Sequence, residues 1–470
     1  SLCTFKCITV SALSKLISIM FNELVNEISK DIQKHEQRSR LRTTEEQSRF
    51  EYAVKYILTD LWKACYSIPI RECSINLRSG YYSENPQYRD PQLTYRQVKA
   101  VFDVLIAMRQ IEITRDGYYD KVKMEGSLTC FVARDELLER LQNLEGHPAI
   151  SVMPDLDREC ILLRKTIEGR RQLVGYDETA QTEKYRTNLQ KINTCFSKHW
   201  ADLRIKDSEI PLLSKRLNEH EDKYPIDLSS RTLTRIFSNG SFKEGGRYYR
   251  GWWQNVPSEY RKYITIDEAV TTEYDYSQLN PHMLYFAYNK QLGNEDAYDR
   301  VLDGQHRDVV KEAFNAMIQA NGPLNQKPRD INLDSLEMSW KDLRERILDN
   351  HKPIAHLFFK GKGNELQFKD SQIAENVMLQ YTDRNIVSLP IHDSFILKEG
   401  LSGDLEETMR RAFYNEFGED IGVSKELVIE RVTLFDEKGN PRTDEVIKDD
   451  REHSQWYDRN TMWLYSRKSD

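Results

Sequence analysis

The sequence predicts an α+β fold. Three observations carry that prediction. Long charged, amphipathic stretches read as helices at 20–66 and 155–225, and strand-like and helix-like segments alternate from 266 to 400. Two strand-like stretches, EYDYS and VSLPIHDSFIL, deliver the aspartates Asp275 and Asp393 to a strand end or a hairpin turn.

Size and composition set the limits. A chain of 470 residues allows about two to four domains. With 39% hydrophobic and 30% charged residues it is expected to be soluble with a true core. The net charge of −7 leaves phosphate contact to local basic patches. Seven cysteines without a CxxC pair point to reduced, mostly buried thiols and a cytoplasmic protein with no membrane partner. No apolar run reaches the length of about 18 residues that a span needs. The first 19 residues are mildly apolar, but Lys15 interrupts them and no cleavage site follows. Met20 opens a cleaner pattern, MFNELVNEISKDI, and is expected to be the natural start.

In chain order, 1–66 forms an N-terminal helical segment and 67–150 a winged-helix-like module. In that module Thr94 is the expected N-cap of a helix with Val98, Val101, Phe102, Leu105 and Ile106 on one face. IEITRDGYYDKV and SLTCFVA follow as two strands. Such a module would touch DNA through Arg96, Lys99 and its hairpin, or serve protein contact or structure alone. Residues 151–230 read as charged helices, including LDRECILLRKTIEGRRQLVG. Residues 231–425 carry the aspartates, and 426–470 contain one strand-like stretch, ELVIERVTLF, and a polar tail.

Two carboxylates brought together repel unless a cation sits between them. A pair of Mg²⁺ ions can hold the attacking and leaving oxygens of a phosphoryl displacement. Mg²⁺ accepts one or two carboxylates plus phosphate oxygens, so Asp275 and Asp393 suffice for a triphosphate substrate. The plainer alternative is that each aspartate caps a turn or pairs with an arginine. In QHRDVVKEAFNAMIQANG, Arg307 and Lys311 share a helix face, with Phe314, Asn315, Ile318 and Gln319 close to it. That row suits a triphosphate and a base; the alternative is a solvated basic edge. Trp252, Trp253, Tyr248 and Tyr249 could stack on bases, although at least two of the four are expected in the core. Arg247, Arg250, Arg261 and Lys262 surround them as a basic patch.

DYSQL at 275–279, Arg307-x3-Lys311 and HDSF at 392–395 come in the order of motifs A, B and C of family A DNA polymerases, which they resemble together with the single-subunit RNA polymerase relatives. GGRYYRGWWQNVPSEYR looks like the Gly-Arg and Gln-Asn-Val-Pro stretch before motif A. The resemblance covers about 230–400 and is strongest to compact polymerases encoded on mobile elements, such as those of staphylococcal cassettes. It implies a right-hand fold with an antiparallel palm sheet, a helical thumb at 151–230 and short fingers.

The resemblance further implies that Asp275 and Asp393, with the backbone carbonyl of Tyr276, hold Mg²⁺, or Mn²⁺ in its place. Arg307 and Lys311 would grip the incoming triphosphate, with Asn280, Asn315 and Gln319 around the nucleotide. Arg247, Gln254, Asn255 and His392 would contact primer–template, and Gln372 and Glu375 would lie on a helix near it. Two positions depart from the family: Asn280 stands where a Glu is usual, and Gln319 where a Tyr is usual. Both touch sugar selection, so dNTP and NTP substrates and primase activity stay open. No proofreading carboxylate cluster stands in 20–230. Implied partners are primer–template or single-stranded DNA, a helicase and a small single-strand-binding protein. The rival class is a non-catalytic DNA-binding replication initiator; an RNA polymerase or primase is a third reading.

Overall fold

The computed structural model describes residues 10–467, apart from 37, 121–124, 220–223, 294, 335, 427–433, 436–440 and 443–451. Helices α1 (Val10–Glu36) and α2 (Thr44–Cys65) open the chain, and α1 runs through Met20 rather than starting there. Thr43 and Glu46 form a capping box at the start of α2, which buries Phe50, Val54, Ile57, Leu61 and Trp62 along one stripe. Phe21 of α1 stacks on Trp62 with ring centroids 5.0 Å apart. Strand β1 (Cys73–Ile75) precedes α3 (Tyr95–Ala107). Thr94 caps α3 as expected, and Val98, Val101, Phe102 and Leu105 are buried, with Ile106 half-buried. β2 (Ile111–Arg115) and β3 (Thr129–Ala133) pair antiparallel, and β1 lies on the other side of β3. α4 (Asp135–Gln142) closes this first core, which runs from Phe21 to Leu144. The boundary expected at 66/67 falls inside it. Arg96 is ion-paired with Glu46 and Lys99 with Asp103, so both cations expected to meet DNA have carboxylate partners here.

The stretch LDRECILLRKTIEGRRQLVG is not helical. It forms a hairpin of β4 (Ile161–Ile167) and β5 (Arg170–Leu173). The reason is local. Ile161, Leu162 and Leu163 are all buried, as in a strand covered on both faces, and the loop Glu168–Gly169 has both φ angles positive, at 51° and 79°. A helix cannot pass through such a turn. The second charged segment does form a helix, α5 (Ala180–Ser197), followed by β6 (Ala201–Leu203). β7 (Thr234–Ser238) and β8 (Ser241–Tyr249) turn at Asn239–Gly240, and β7 also pairs in parallel with β4.

The central sheet is antiparallel. β9 (Ile264–Ile266) and β10 (Ala269–Tyr276) are joined by a tight turn and continue to β6 at one edge. α6 (Leu279–Ala287), α7 (Arg307–Gln319) and α8 (Gly363–Thr382) intervene before β11 (Leu389–Ile391) and β12 (Ser394–Lys398). The order is β11–β12–β10–β9–β6, and after α9 (Leu405–Phe417) the strand β13 (Val423–Glu426) also pairs with β10. These elements share one core from Ala149 to Trp463, and the boundary expected at 230/231 lies within it.

The expected polar tail contains a packed helix, α10 (Ser454–Arg467), that buries Trp456 and Trp463. Trp463 stacks on Trp200, and Arg459 makes a two-pronged ion pair with the fully buried Asp202 of β6. Most of ELVIERVTLF lies outside the described residues. The five described cysteines are free, four of them buried. Among the described residues no helix is long and apolar enough to cross a membrane.

Arg459→Met removes the partner of a carboxylate with no solvent contact. We expect a loss of about 3–5 kcal/mol in urea unfolding, most of it recovered when Asp202→Leu is added. Equal stability of the Arg459→Met protein and the parent would show that the pair contributes nothing.

Candidate functional site

Along β10 side chains alternate, so Thr271, Glu273 and Asp275 face one way. β12 lies antiparallel beside it, with Asp275 opposite Ser394 and Glu273 opposite Ile396. The residue before Ser394 is Asp393, in the two-residue turn His392–Asp393 between β11 and β12. Register alone therefore brings the two aspartates to one end of the sheet. His392 is exposed and has φ of 55°, a left-handed conformation that costs a non-glycine residue about 1–2 kcal/mol. An open cleft of about 480 Å³ is lined by Glu273, Asp275, His392 and Asp393, with Arg261 and Lys262 on its wall.

Several contacts hold the turn. The Trp253 indole donates to the Pro390 carbonyl at 2.9 Å, and the Gln254 amide donates to the same oxygen at 3.2 Å and to the Tyr248 carbonyl at 3.0 Å. Trp252, Trp253 and Tyr248 are buried, so at least three of the four aromatics belong to the core. Gln254, expected against primer–template, is instead a bracket for the hairpin; Asn255 beside it is half-buried. Tyr276 buries its ring, and its hydroxyl donates to the Met409 carbonyl of α9 at 2.7 Å. Its backbone N–H reaches toward the Asp393 carbonyl at 3.5 Å. Arg261 pairs with Glu273 at 3.1 Å.

Behind the turn lies a carboxylate that the sequence reading missed. Asp370 of α8 is buried and accepts from Arg247 at 2.5 Å. Burial first, and then the charge of Asp393, push its pKa up to about 6 against the pull of Arg247. Burial opposes the Arg247 charge, but Asp370 and Asp393 outweigh it and raise its pKa. Arg247 is thus half-buried between two carboxylates rather than free. Glu375, one turn and a half further along α8, is buried too. It accepts from Arg235 at 3.0 Å and from Asn188 at 2.8 Å, which removes it from any primer–template surface. Gln372 is half-buried beside the Tyr185 hydroxyl. Nothing in DSQIAENVML distinguishes Glu375 from a surface acid; Asp370 needed the position of Arg247, far away in sequence, to be noticed.

On α7 the expected row is present but trimmed. Arg307, Lys311, Asn315 and Gln319 form an exposed to half-buried stripe, whereas Phe314 and Ile318 turn into the core. Phe314 packs edge-on against His351, Tyr298 and Phe358, so it offers no ring for a base. Lys311 makes no ion pair with a described residue. Arg307 is held by Asp296 at 2.9 Å, with Asp299 at 3.8 Å. Asn280 of α6 donates to Asn315 at 2.9 Å, which ties the residue five after Asp275 to the α7 stripe. The Arg307 guanidinium lies 5.1 Å over the ring of buried Tyr298, and burial, first of all, holds the Tyr298 hydroxyl well above its usual pKa.

Among the described residues, no group of three or more His, Cys, Asp or Glu side chains could hold a metal by itself. The available donors are two carboxylates and a backbone carbonyl, a set that fits Mg²⁺ only when water and phosphate complete its shell. Comparison of the chain with protein-family models and with curated proteins finds no match.

A carboxyl whose folded pKa exceeds its unfolded value of about 3.9 favours the fold below that value. That contribution fades as pH rises through the folded pKa. Asp370 therefore makes the protein lose up to about 3 kcal/mol of stability between about pH 4 and pH 6, relative to Asp370→Asn. Parallel stability–pH curves for the two proteins, measured in EDTA, would contradict this.

Proposed function

We propose that the chain is a template-directed nucleotidyltransferase, a DNA polymerase of the family A type with or without primase activity, acting in replication of a mobile genetic element. The observation that carries the reading is the convergence of Asp275 and Asp393 at one cleft by strand register. Asp275 and Asp393, with the Tyr276 carbonyl, would hold Mg²⁺, or Mn²⁺ in its place. When bound, such ions stabilise charge on the attacking and leaving oxygens. Lys311 supplies a point charge for the triphosphate, and Arg307 supplies a fork once phosphate oxygens replace Asp296. His392 stands exposed at the mouth of the cleft, where a primer end would lie. Arg247, held by Asp370, keeps positive charge behind Asp393.

The Asn280–Asn315 bond favours one further reading. It leaves an uncharged amide pair, rather than a carboxylate, beside the nucleotide stripe, which is compatible with a ribose and hence with an NTP-using primase. A non-catalytic initiator gains no support from the geometry, because Asp275 and Asp393 line one cleft. A helicase and a small single-strand-binding protein are the partners this function would need.

Asp275→Ala and Asp393→Ala are each expected to lower Mg²⁺-dependent extension of a primed template by at least about 10³-fold while leaving the fold intact. Near-parental extension by either protein would refute the assignment. Offering dNTPs and NTPs separately, on primed and unprimed strands, decides between polymerase and primase.

A further inference from the structure

The stretch EYDYS places a second acid on the face of Asp275. Glu273 stands two residues earlier on β10, lines the same cleft and is only 9% exposed. A carboxylate buried to this extent costs several kcal/mol unless its lone pairs are met. One oxygen, Oε1, accepts from two donors: the Arg261 guanidinium at 3.1 Å and the Ser394 hydroxyl. Arg261 is steadied in turn by the Val256 carbonyl, which lies 3.4 Å from its Nε.

Ser394 occupies a particular place. It follows Asp393 in the chain, and it is the strand partner of Asp275. Antiparallel partners share a face, and a diagonal neighbour two residues along stays within reach. The bond from Ser394 to Glu273 is such a diagonal. The same hydroxyl oxygen lies 3.1 Å from the Ile391 carbonyl, at the other end of the two-residue turn. Glu273, Ser394 and Ile391 thus tie the strand that carries Asp275 to both ends of the turn that carries Asp393. The β10–β12 ladder does not need this link. Register sets Glu273 opposite Ile396, where a β-branched apolar residue would suit a strand better than an acid. Among the described residues no group of three such acids could hold a metal, which leaves Glu273 a role other than that of a ligand.

We propose that Glu273 is a positioning residue for the two aspartates: through the Ser394 hydroxyl it fixes the gap between Asp275 and Asp393, and Arg261 holds it in place. The role rests on the proposed function, in which that gap receives Mg²⁺. Mg²⁺ demands near-ideal octahedral geometry, so a carboxylate pair whose spacing drifts holds it poorly. Groups that orient metal ligands without touching the metal contribute about 10–100-fold to affinity or activity.

The test has two readouts. One is Mn²⁺ binding without nucleotide, followed by the EPR signal of the free ion. The other is the Mg²⁺ concentration that half-saturates extension of a primed template. Glu273→Ala and Ser394→Ala are each expected to weaken Mn²⁺ binding and to raise the Mg²⁺ requirement by about tenfold. The double variant is expected to be no weaker than either single one, because the two side chains act as one unit. Glu273→Gln keeps an acceptor for Ser394 and is expected to recover most of the loss. If Glu273→Ala does not fold in a urea titration, Glu273→Met, of similar size and without an acceptor, takes its place. Parental Mn²⁺ affinity in the folded Glu273 variant, or losses that multiply in the double variant, overturns the role; so does a parent that binds no Mn²⁺. Weakened Mn²⁺ binding in variants of a protein that extends no primer keeps the positioning role and removes the polymerase reading.

Discussion

Arg235 is the charge around which the second core is assembled. Its guanidinium is fully buried, a state that costs several kcal/mol unless its donors are met. It donates to Glu375, to the Ser371 hydroxyl and to the Gly246 carbonyl, each at 2.9–3.0 Å, and lies 4.2 Å over the Tyr185 ring. Those partners belong to α8, β8 and α5. One side chain of β7 therefore sets the spacing of three other elements, and Asn188 completes the far side of Glu375.

The site inherits that spacing. α8 held against β8 brings Asp370 to Arg247, and Arg247 faces Asp393. The segment following β8 supplies Trp253 and Gln254, whose two donors converge on the Pro390 carbonyl and so hold the turn that carries Asp393. Asp275 needs no such bracket, because β10 is flanked on both sides by antiparallel neighbours. A rigid strand thus delivers one carboxylate and a supported turn the other, an arrangement suited to a charge pair that must not drift.

Backbone strain collects in the same region. Gln278 and His306, the residues before α6 and α7, and His392 in the turn all have left-handed φ angles near 54° without being glycine. The Gln278 side chain accepts from the Ala297 N–H, which ties the start of α6 to the loop that holds Asp296. Strain of this kind persists where the surroundings over-determine it and is common at functional sites. Carboxylates also outnumber cations there. Glu273, Asp275, Asp370 and Asp393 stand with Arg247, Arg261 and Lys262, of which Arg247 is paired with Asp370 and Arg261 with Glu273.

Features written in short stretches of sequence were legible. Thr94 announced its helix because a cap is a local bond to an N–H three residues on. Alternation placed Asp275 on a strand and Asp393 in a hairpin turn, and a spacing of four put Arg307 and Lys311 on one helix face. The hairpin at 161–173 was misread as helix because charge density was weighed above the buried triplet Ile161–Leu163 and the Glu168–Gly169 turn. By itself, the sequence determined local placement: Asp275 on a strand, Asp393 in a turn, Arg307 and Lys311 on one helix. The tertiary structure alone decided which charges are partnered: Glu375 with Arg235, Asp370 with Arg247, Arg307 with Asp296, Arg459 with Asp202. The physical reason is that caps, periodicity and turns are set by neighbours along the chain, whereas the solvation and partner of a charge depend on groups that only folding brings within reach.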